Sequence, residues 1–293
     1  MISVIIRTLN EEKYLPELLK TIDSQIIDQS VEKIIVDSGS TDGTLEIAKK
    51  FKCRITFIDK KDFTFGKSLN DGCIFSKGDI LVFISGHCIP DSNFWLSNLI
   101  VNLVNGSADY VYGRQLGRDS TKFSEEVLFQ KYYPNHNNPD NPKYFCNNAN
   151  SAIKRPVWEK YMFNEKLTGL EDMGLAKKIF EDGGSIQYSP KASVYHIHDE
   201  TFKQVKIRYE REAIALKEIM PEIQISIIDL IRYIFTAIFL DSLYALNQKK
   251  LTKNFFSIVM FRFSQYYGSY IGSNKKLLKN ELHKNKEKYF YPK

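Results

Sequence analysis

The sequence predicts an α/β fold, a mostly parallel mixed sheet flanked by helices, with a C-terminal helical extension. Three observations predict it. Short β-branched runs alternate with amphipathic stretches through the first half. The spacing leaves room for a crossover helix between strands, which implies parallel pairing with helices on both faces. The final third changes character, to long apolar segments followed by a basic end.

The elements follow in order. "SVIIR" (3–7) reads as the first strand. "EEKYLPELLKTIDSQI" then places Leu15, Leu18, Leu19, Ile22 and Ile26 at helical spacing. "KIIVD" (33–37) is a second strand, and "GSTDGTLEIAKKF" is a polar loop opening a helix with Leu45, Ala48 and Phe51 inward. "CRITFID" is a third strand. "SLNDGCIFSKG" reads as a short helix closed by Gly78 as C-cap. "DILVFIS" is the fourth strand, and "DSNFWLSNLIVNLV" a helix capped by Asp91 or Ser92. "YVYGRQ" is a further strand. From Arg114 to Pro142 the chain is polar and irregular, with "NHNNPDNP" a loop near the site. A helix follows in "GLEDMGLAKKIFEDGG", with Met173, Ala176, Ile179 and Phe180 on one side and Gly183-Gly184 at its end. "SIQYSPKASVYHIHDE" alternates like strands around a turn at Pro190.

In "SIIDLIRYIFTAIFLDSLYAL", a spanning helix would bury Asp229, Arg232 and Asp241 at high cost. An amphipathic helix fits better, packed on the body or lying in a membrane interface. "FFSIVMFRFSQYYGSYIG" is a second apolar helix, and "KKLLKNELHKNKEKYFYPK" a basic, aromatic tail.

The 293 residues are 43% hydrophobic and 26% charged, ordinary for a globular chain with a full core. The formal charge of +6 is uneven. Residues 249–293 carry eleven Lys/Arg against two Glu, a net of +9, which leaves −3 for the rest. Nucleic acid is not the expected partner, since no nucleic-acid motif accompanies the basic end; an anionic membrane surface and a solvated tail remain. The four cysteines form no CxxC pair, so free thiols in a reducing cytosol are expected. The N-terminus carries no secretory signal pattern. No GxGxxG follows the first strand and no GxxxxGK[ST] occurs, which weighs against a dinucleotide dehydrogenase or a P-loop kinase. Ligands of open α/β sheets bind beyond the carboxyl ends of the strands. The polar residues there are Arg7 to Glu11, Asp37 to Asp42, and Ser85 to His87.

Four of these stretches, "SVIIRTLNEEKYL", "IIVDSGSTDGT", "GDILVFISGHCIP" and "FNEKLTGLEDMGLAKKI", resemble the successive motifs of family 2 glycosyltransferases, bacterial polysaccharide enzymes of the rhamnosyltransferase type in particular. The resemblance covers about residues 1–211. It implies a Rossmann-like GT-A domain over 1–215, leaving 216–293 as a helical, basic and membrane-associating region. It also implies transfer of a sugar from a nucleotide-diphospho-sugar to an acceptor hydroxyl, usually with inversion.

Such a transfer needs the leaving diphosphate neutralised, commonly by a divalent metal, and a base for the acceptor proton. The resemblance assigns the base to the acidic pair Glu171-Asp172, with Asp172 the usual one. At a helix start its charge is stabilised, so a lowered pKa is expected and a base that works by position. Where the family usually carries Asp-x-Asp, this chain has Ser85-Gly86-His87. A histidine in the second position is similar to the Asp-x-His of mucin-type GalNAc-transferases. Of the divalent ions expected, Mn2+ or Mg2+, imidazole suits Mn2+ and binds Mg2+ poorly. His196 and His198 lie on one side of a strand. By the resemblance either completes the metal shell, with His196 first. The alternative is metal-free catalysis with imidazolium facing the phosphates.

For the nucleotide, the family's frequent Asp-Asp is Asp37-Ser38 here, which leaves the base unspecified. Arg7 and Glu11 match nucleoside-pocket positions and Lys67 a donor-contacting position, while Ser85 would be a weak ligand acting through water. Asn147 and Asn148 match the acceptor segment. The expected partners are a nucleotide-sugar donor and a glycan or lipid-linked acceptor, in capsule, lipopolysaccharide or glycoprotein glycan assembly. The expected place is the cytoplasm, peripheral to the inner face of the cytoplasmic membrane. Two other readings stay open: transfer of another group, such as a phospho-alditol, and a non-catalytic nucleotide- or glycan-binding module.

Overall fold

The structure is a computed structural model that describes residues 1–137, 140–275 and 286–291. The chain divides into two compact units. The first comprises Met1–Arg118, Phe129–Lys166 and Glu171–Ile197; the second comprises Asp119–Leu128, Leu167–Leu170 and the chain from His198.

The first unit is built on an eight-stranded sheet of order β3-β2-β1-β4-β7-β6-β8-β5. Its strands are β1 (Ile2–Thr8), β2 (Val31–Asp37), β3 (Arg54–Phe57), β4 (Ile80–Ser85), β5 (Cys88–Pro90), β6 (Tyr110–Leu116), β7 (Asn150–Lys154) and β8 (Ile186–His196). β3, β2, β1 and β4 pair in parallel, as do β6 and β8. β7 runs antiparallel to β4 and β6, and β5 antiparallel to β8. The sheet is thus mixed, with parallel pairs in the majority.

Alternation along β1 sends Ile2, Val4 and Ile6 into one core layer. They meet α1 (Leu15–Asp23), α2 (Thr44–Lys50) and α4 (Trp95–Val104) through Leu15, Leu18, Ala48, Trp95 and Leu99. The opposite face takes α3 (Phe65–Phe75) and α6 (Arg155–Tyr161). There Gly72 of α3 sits against Ile5 and Val36, and Trp158 of α6 donates to Asn70 Oδ1 at 3.1 Å. The remaining helix lying wholly in this unit is α7 (Glu171–Glu181).

Several local expectations are corrected. α1 stops at Asp23, so Ile26 lies beyond it and is exposed. Ser76, not Gly78, is the C-cap of α3. Gly78 is needed because its backbone crosses Ser3: a Cβ there would lie 2.5 Å from Ser3 Oγ. The N-cap of α4 is Phe94, without a side-chain cap, so neither Asp91 nor Ser92 serves. Pro190 makes no hairpin. β8 continues past it, and the register against β6 slips between Gly113 and Arg114, which bulges out residues 190–192, the non-donating proline among them. The stretch read as irregular contains α5 (Phe123–Tyr132), whose residues 123–128 belong to the second unit and the rest to the first. β7 and α6 also lie where no element was assigned. α7 ends at Gly183 and Gly184 as expected, but Phe180 is exposed.

The second unit is helical. α8 (Phe202–Ile219) and α9 (Ile227–Asn247) each begin in a capping box, Thr201/Gln204 and Ser226/Asp229. α10 (Leu251–Asn274) returns antiparallel to α9. The charges that argued against a spanning helix are all satisfied. Asp229 caps α9 and pairs with Arg232, and buried Asp241 takes a two-point ion pair from buried Arg262, at 2.6 and 2.8 Å. Among the described residues no helix is long and apolar enough to cross a membrane. α11 (Lys286–Phe290) is held on α8 through Tyr289 and Lys288, which both bond Glu210. Much of the basic tail, residues 276–285 and 292–293, lies outside the described residues, as do 138–139 of the polar loop. All four cysteines are free thiols.

Candidate active site

The carboxyl ends of β1, β2 and β4 reach one rim of the first unit's sheet, where Thr8 pairs with Asp37 and Arg7 with Ser85. β7 is antiparallel to β4 and pairs Asn150 with Ile84, so it begins at this same rim. The segment leading into it carries Asn147 and Asn148.

Asp37 is buried and saturated. Its Oδ1 accepts the N–H groups of Gly39 and Ser40, and its Oδ2 accepts the hydroxyls of Thr8 and Ser40. It shapes the loop after β2 rather than offering a spare oxygen. Ser38 is buried too, and its hydroxyl donates to Thr8 O. Lys67, in the first turn of α3, pairs with Asp71 at 3.0 Å, which raises its pKa. Ser85, the last residue of β4, bonds through its N–H to Ala149 O.

Glu11 meets His87 rather than standing apart from it. His87 Nδ1 lies 2.8 Å from Glu11 Oε1. Gly86 makes this possible, because a Cβ there would stand 2.8 Å from Glu11 Cγ. The ring of His87 stacks on that of His196, centroids 5.3 Å apart and planes 17° from parallel. His196 comes from the end of β8, is buried, and places Nδ1 2.6 Å from Gln115 Oε1. Both Nδ1 atoms thus face oxygen acceptors. Each neutral ring then carries its proton on Nδ1 and its lone pair on Nε2, the tautomer of a metal-ligating histidine held by an outer partner. This donor set fits Mn2+ or a later transition metal. Gln115 was missed in the sequence; its signal was its place near the carboxyl end of β6.

His198, two residues further on, belongs to the second unit and is organised there. Its Nδ1 lies 2.8 Å from buried Glu125 Oε1, and Arg208 bonds both that oxygen and Glu200. Burial pushes the Glu125 carboxyl up, but His198 and Arg208 overcome this and bring it down to about 2. Arg208 thus lies against both carboxylates, and ligand atoms of Glu125, His198 and Glu200 all lie within 4.8 Å of one another, close enough to hold a metal ion.

Glu171 and Asp172 open α7, and both are buried. Arg7 holds Glu171 at 3.3 Å while its guanidinium rests over the Phe65 ring. Asp172 accepts the N–H of Asn148 at 2.7 Å through Oδ2 and that of Met173 at 2.7 Å through Oδ1. The lowered pKa expected for Asp172 is corrected. Burial, then the neighbouring charge of Glu171, pushes it up to about 7, against the opposing pull of the two N–H groups and Arg7. The helix-start argument counted the amides and omitted the desolvation. Asn148 is buried and keeps its side-chain amide nitrogen without a hydrogen-bond partner among the described residues. Its side-chain oxygen is committed to Tyr110 and Ser151, and its backbone N–H serves Asp172. Asn147 turns its side-chain oxygen to Ala149 N.

The rim thus brings together an imidazole pair suited to a metal, a guanidinium, and a buried carboxyl that ionises near neutrality. Known proteins resemble this chain in sequence and fold. The profile of Glycosyl transferase family 2 matches residues 3–162. The O-antigen chain rhamnosyltransferase RfbN of Salmonella typhimurium is 29% identical over 220 residues, which cover 71% of this chain and 70% of RfbN. The glycosyltransferase AglE of Haloferax volcanii is 33% identical over 124 residues, 38% of this chain and 40% of AglE. Among solved structures, the mannosyltransferase PcManGT of Pyrobaculum calidifontis, in complex with GDP-Man and Mn2+, superimposes with a TM-score of 0.59. Its identity is 20%, over 75% of this chain and 63% of PcManGT. S. aureus TarS 1–349 in complex with UDP-GlcNAc superimposes with a TM-score of 0.57 at 16% identity, over 92% of this chain and 91% of that one. These structures share the GT-A fold.

Proposed function

This chain belongs to glycosyl transferase family 2, and from that premise we propose that it transfers a sugar from a nucleotide-diphospho-sugar to an acceptor hydroxyl, with inversion, in the assembly of a bacterial surface polysaccharide. The likeness to O-antigen chain rhamnosyltransferases supports the polysaccharide setting.

The observation that carries the reading is Asp172: a buried carboxyl near pKa 7, held by Asn148 N–H on the rim that bears His87 and His196. A carboxylate with that pKa takes a proton efficiently near neutral pH. Asp172 removes the acceptor proton as the acceptor oxygen bonds the anomeric carbon. The bond from that carbon to the diphosphate oxygen breaks on the opposite face, and the nucleoside diphosphate leaves with the electron pair. Glu171, fixed by Arg7, keeps Asp172 from ionising too early. His87 and His196 would hold the divalent metal, Mn2+ by preference, with Glu11 and Gln115 orienting them; when bound, it would neutralise the leaving diphosphate. The Mn2+ in the PcManGT complex supports this choice. Arg7 and Lys67 add positive charge toward the donor, and the Asp37 loop shapes the nucleoside side.

We assign the transferase activity to residues 1–215, which take in the whole first unit. Residues 216–293 bring it to the inner face of the cytoplasmic membrane, where a lipid-linked acceptor would be found. A dolichyl-phosphate-linked sugar is named as the acceptor of a Methanococcus voltae relative, 31% identical over 104 residues.

A nucleotide-sugar panel read by thermal shift, with and without Mn2+, identifies the donor. Asp172→Asn is expected to keep the donor-dependent shift and lose turnover. Normal turnover in Asp172→Asn overturns the base assignment, and absence of any donor-dependent shift overturns the transferase reading.

A further inference from the structure

α9 is apolar on two opposite sides. Leu230, Ala237, Asp241 and Ala245 form its buried side within the second unit. The other side carries Ile228 (74% exposed), Ile231, Phe235 (70%), Phe239 (62%) and Leu246. Their spacings of three, four, four and seven residues put them on one helical face. The stripe runs for about 27 Å at 1.5 Å per residue. α10 adds Phe255 and Phe256, also exposed. A stripe of five bulky exposed side chains along one helix face calls for a cover.

The charges beside the stripe identify that cover. Asp241 is buried in its ion pair, and Asp229 is occupied as a helix cap, so neither presents free acid to the surface. Arg232 is exposed beside the stripe, and Lys249, Lys250 and Lys253 are exposed at the turn into α10. The phenylalanines suit either a protein or a lipid cover, but three exposed lysines at one end, a residue depleted from protein–protein interfaces, favour lipid. An apolar, Phe-rich face edged with cations matches an anionic lipid surface, where the rings enter the acyl boundary and the ammonium groups meet phosphates.

We propose that the outer face of α9, with the α9–α10 turn, is a docking surface for an anionic bilayer, on which the helix lies flat. The proposal rests on the membrane reading above. It assigns the contact to the stripe from Ile228 to Leu246, all of which precedes the basic segment 249–293.

The test uses the full chain and sedimentation with vesicles of phosphatidylcholine, with or without phosphatidylglycerol. The wild type is expected to sediment with the phosphatidylglycerol vesicles. Phe235→Glu/Phe239→Glu is expected to lose about tenfold or more of that binding. Replacement of Lys249, Lys250 and Lys253 by Gln is expected to erase the preference for phosphatidylglycerol. Phe235→Trp, a mild change, should show a blue-shifted emission on vesicle addition even if the Glu variant folds poorly. Unchanged vesicle binding in the Glu variant, or no emission shift in Phe235→Trp, overturns the proposal. So does a wild-type dimer, seen by light scattering, that the Glu variant dissolves while neither protein binds vesicles. The donor-dependent thermal shift, measured on the same samples, is expected to be equal in all of them. Its loss from the wild type would indict the transferase reading and leave the docking result standing.

Discussion

Glu11 Oε1 lies 2.8 Å from His87 Nδ1, and the residue before His87 is a glycine that leaves room for the Glu11 side chain. The carboxylate fixes which imidazole nitrogen holds the proton, and so which one offers a lone pair. A chain with no Asp-x-Asp thereby sets a carboxylate, supplied by the loop after β1, against His87.

Glu11 is therefore expected to govern metal affinity without touching the metal. Glu11→Ala, and Gly86→Ala by displacing Glu11, should weaken Mn2+ binding about 10- to 100-fold. Calorimetric titration of Mn2+ reads this directly. Equal affinity in both variants would leave Glu11 without that role.

The pH dependence of turnover follows from Asp172. As the proposed base, Asp172 must be ionised to act, and burial together with Glu171 raises its pKa to about 7, so kcat should fall as pH drops through that value. Arg7 draws this pKa down, so Arg7→Gln should move the acid limb to higher pH. Asp172→Asn should lower kcat by about 10²- to 10⁴-fold. A kcat level across about pH 5.5 to 8.5 would exclude Asp172 as the base.

The same shift has a cost in stability. A carboxyl whose folded pKa lies above its unfolded value binds its proton more tightly in the native state. Its contribution is complete below about pH 4 and is lost as pH rises through about 7. Asp172→Asn removes the penalty of ionisation, so it should raise Tm at pH 8 relative to the wild type, and by more than at pH 5. Melting curves at the two pH values test this; an equal change at both would mean that ionisation of Asp172 is not costly.

In the second unit, the pair between Asp241 and Arg262 is buried at both ends. Asp241→Asn leaves a guanidinium uncompensated in an apolar layer and should destabilise by about 3–5 kcal/mol. The double change Asp241→Leu/Arg262→Met should recover most of that loss. Chemical denaturation gives both values, and a double variant as unstable as the single one would show that the pair contributes beyond its own desolvation.

The α/β alternation, the parallel half of the sheet and the order of the rim loops were legible because strands and amphipathic helices announce themselves by local period. Asp172, His87 and His196 were legible as candidates by motif. α5 was not, because "FSEEVLFQKY" distributes Phe123, Val127, Leu128 and Phe129 without a single stripe. A helix shared between two units needs none. Pro190 misled for a related reason: a strand bulge can absorb its missing donor, and only the register against β6 reveals that.

The sequence by itself determined which side chains stand at the ends of the strands, because period and chain order are local properties. Tertiary structure alone decided what each of them does there. Glu11 turned to His87, Gln115 reached His196, and Asp172 moved from a carboxylate eased by amides to one resisting ionisation. The physical reason is that a proton's affinity is set by desolvation and by charges brought from distant parts of the chain, Arg7 and Glu171 among them, and no local pattern encodes that distance.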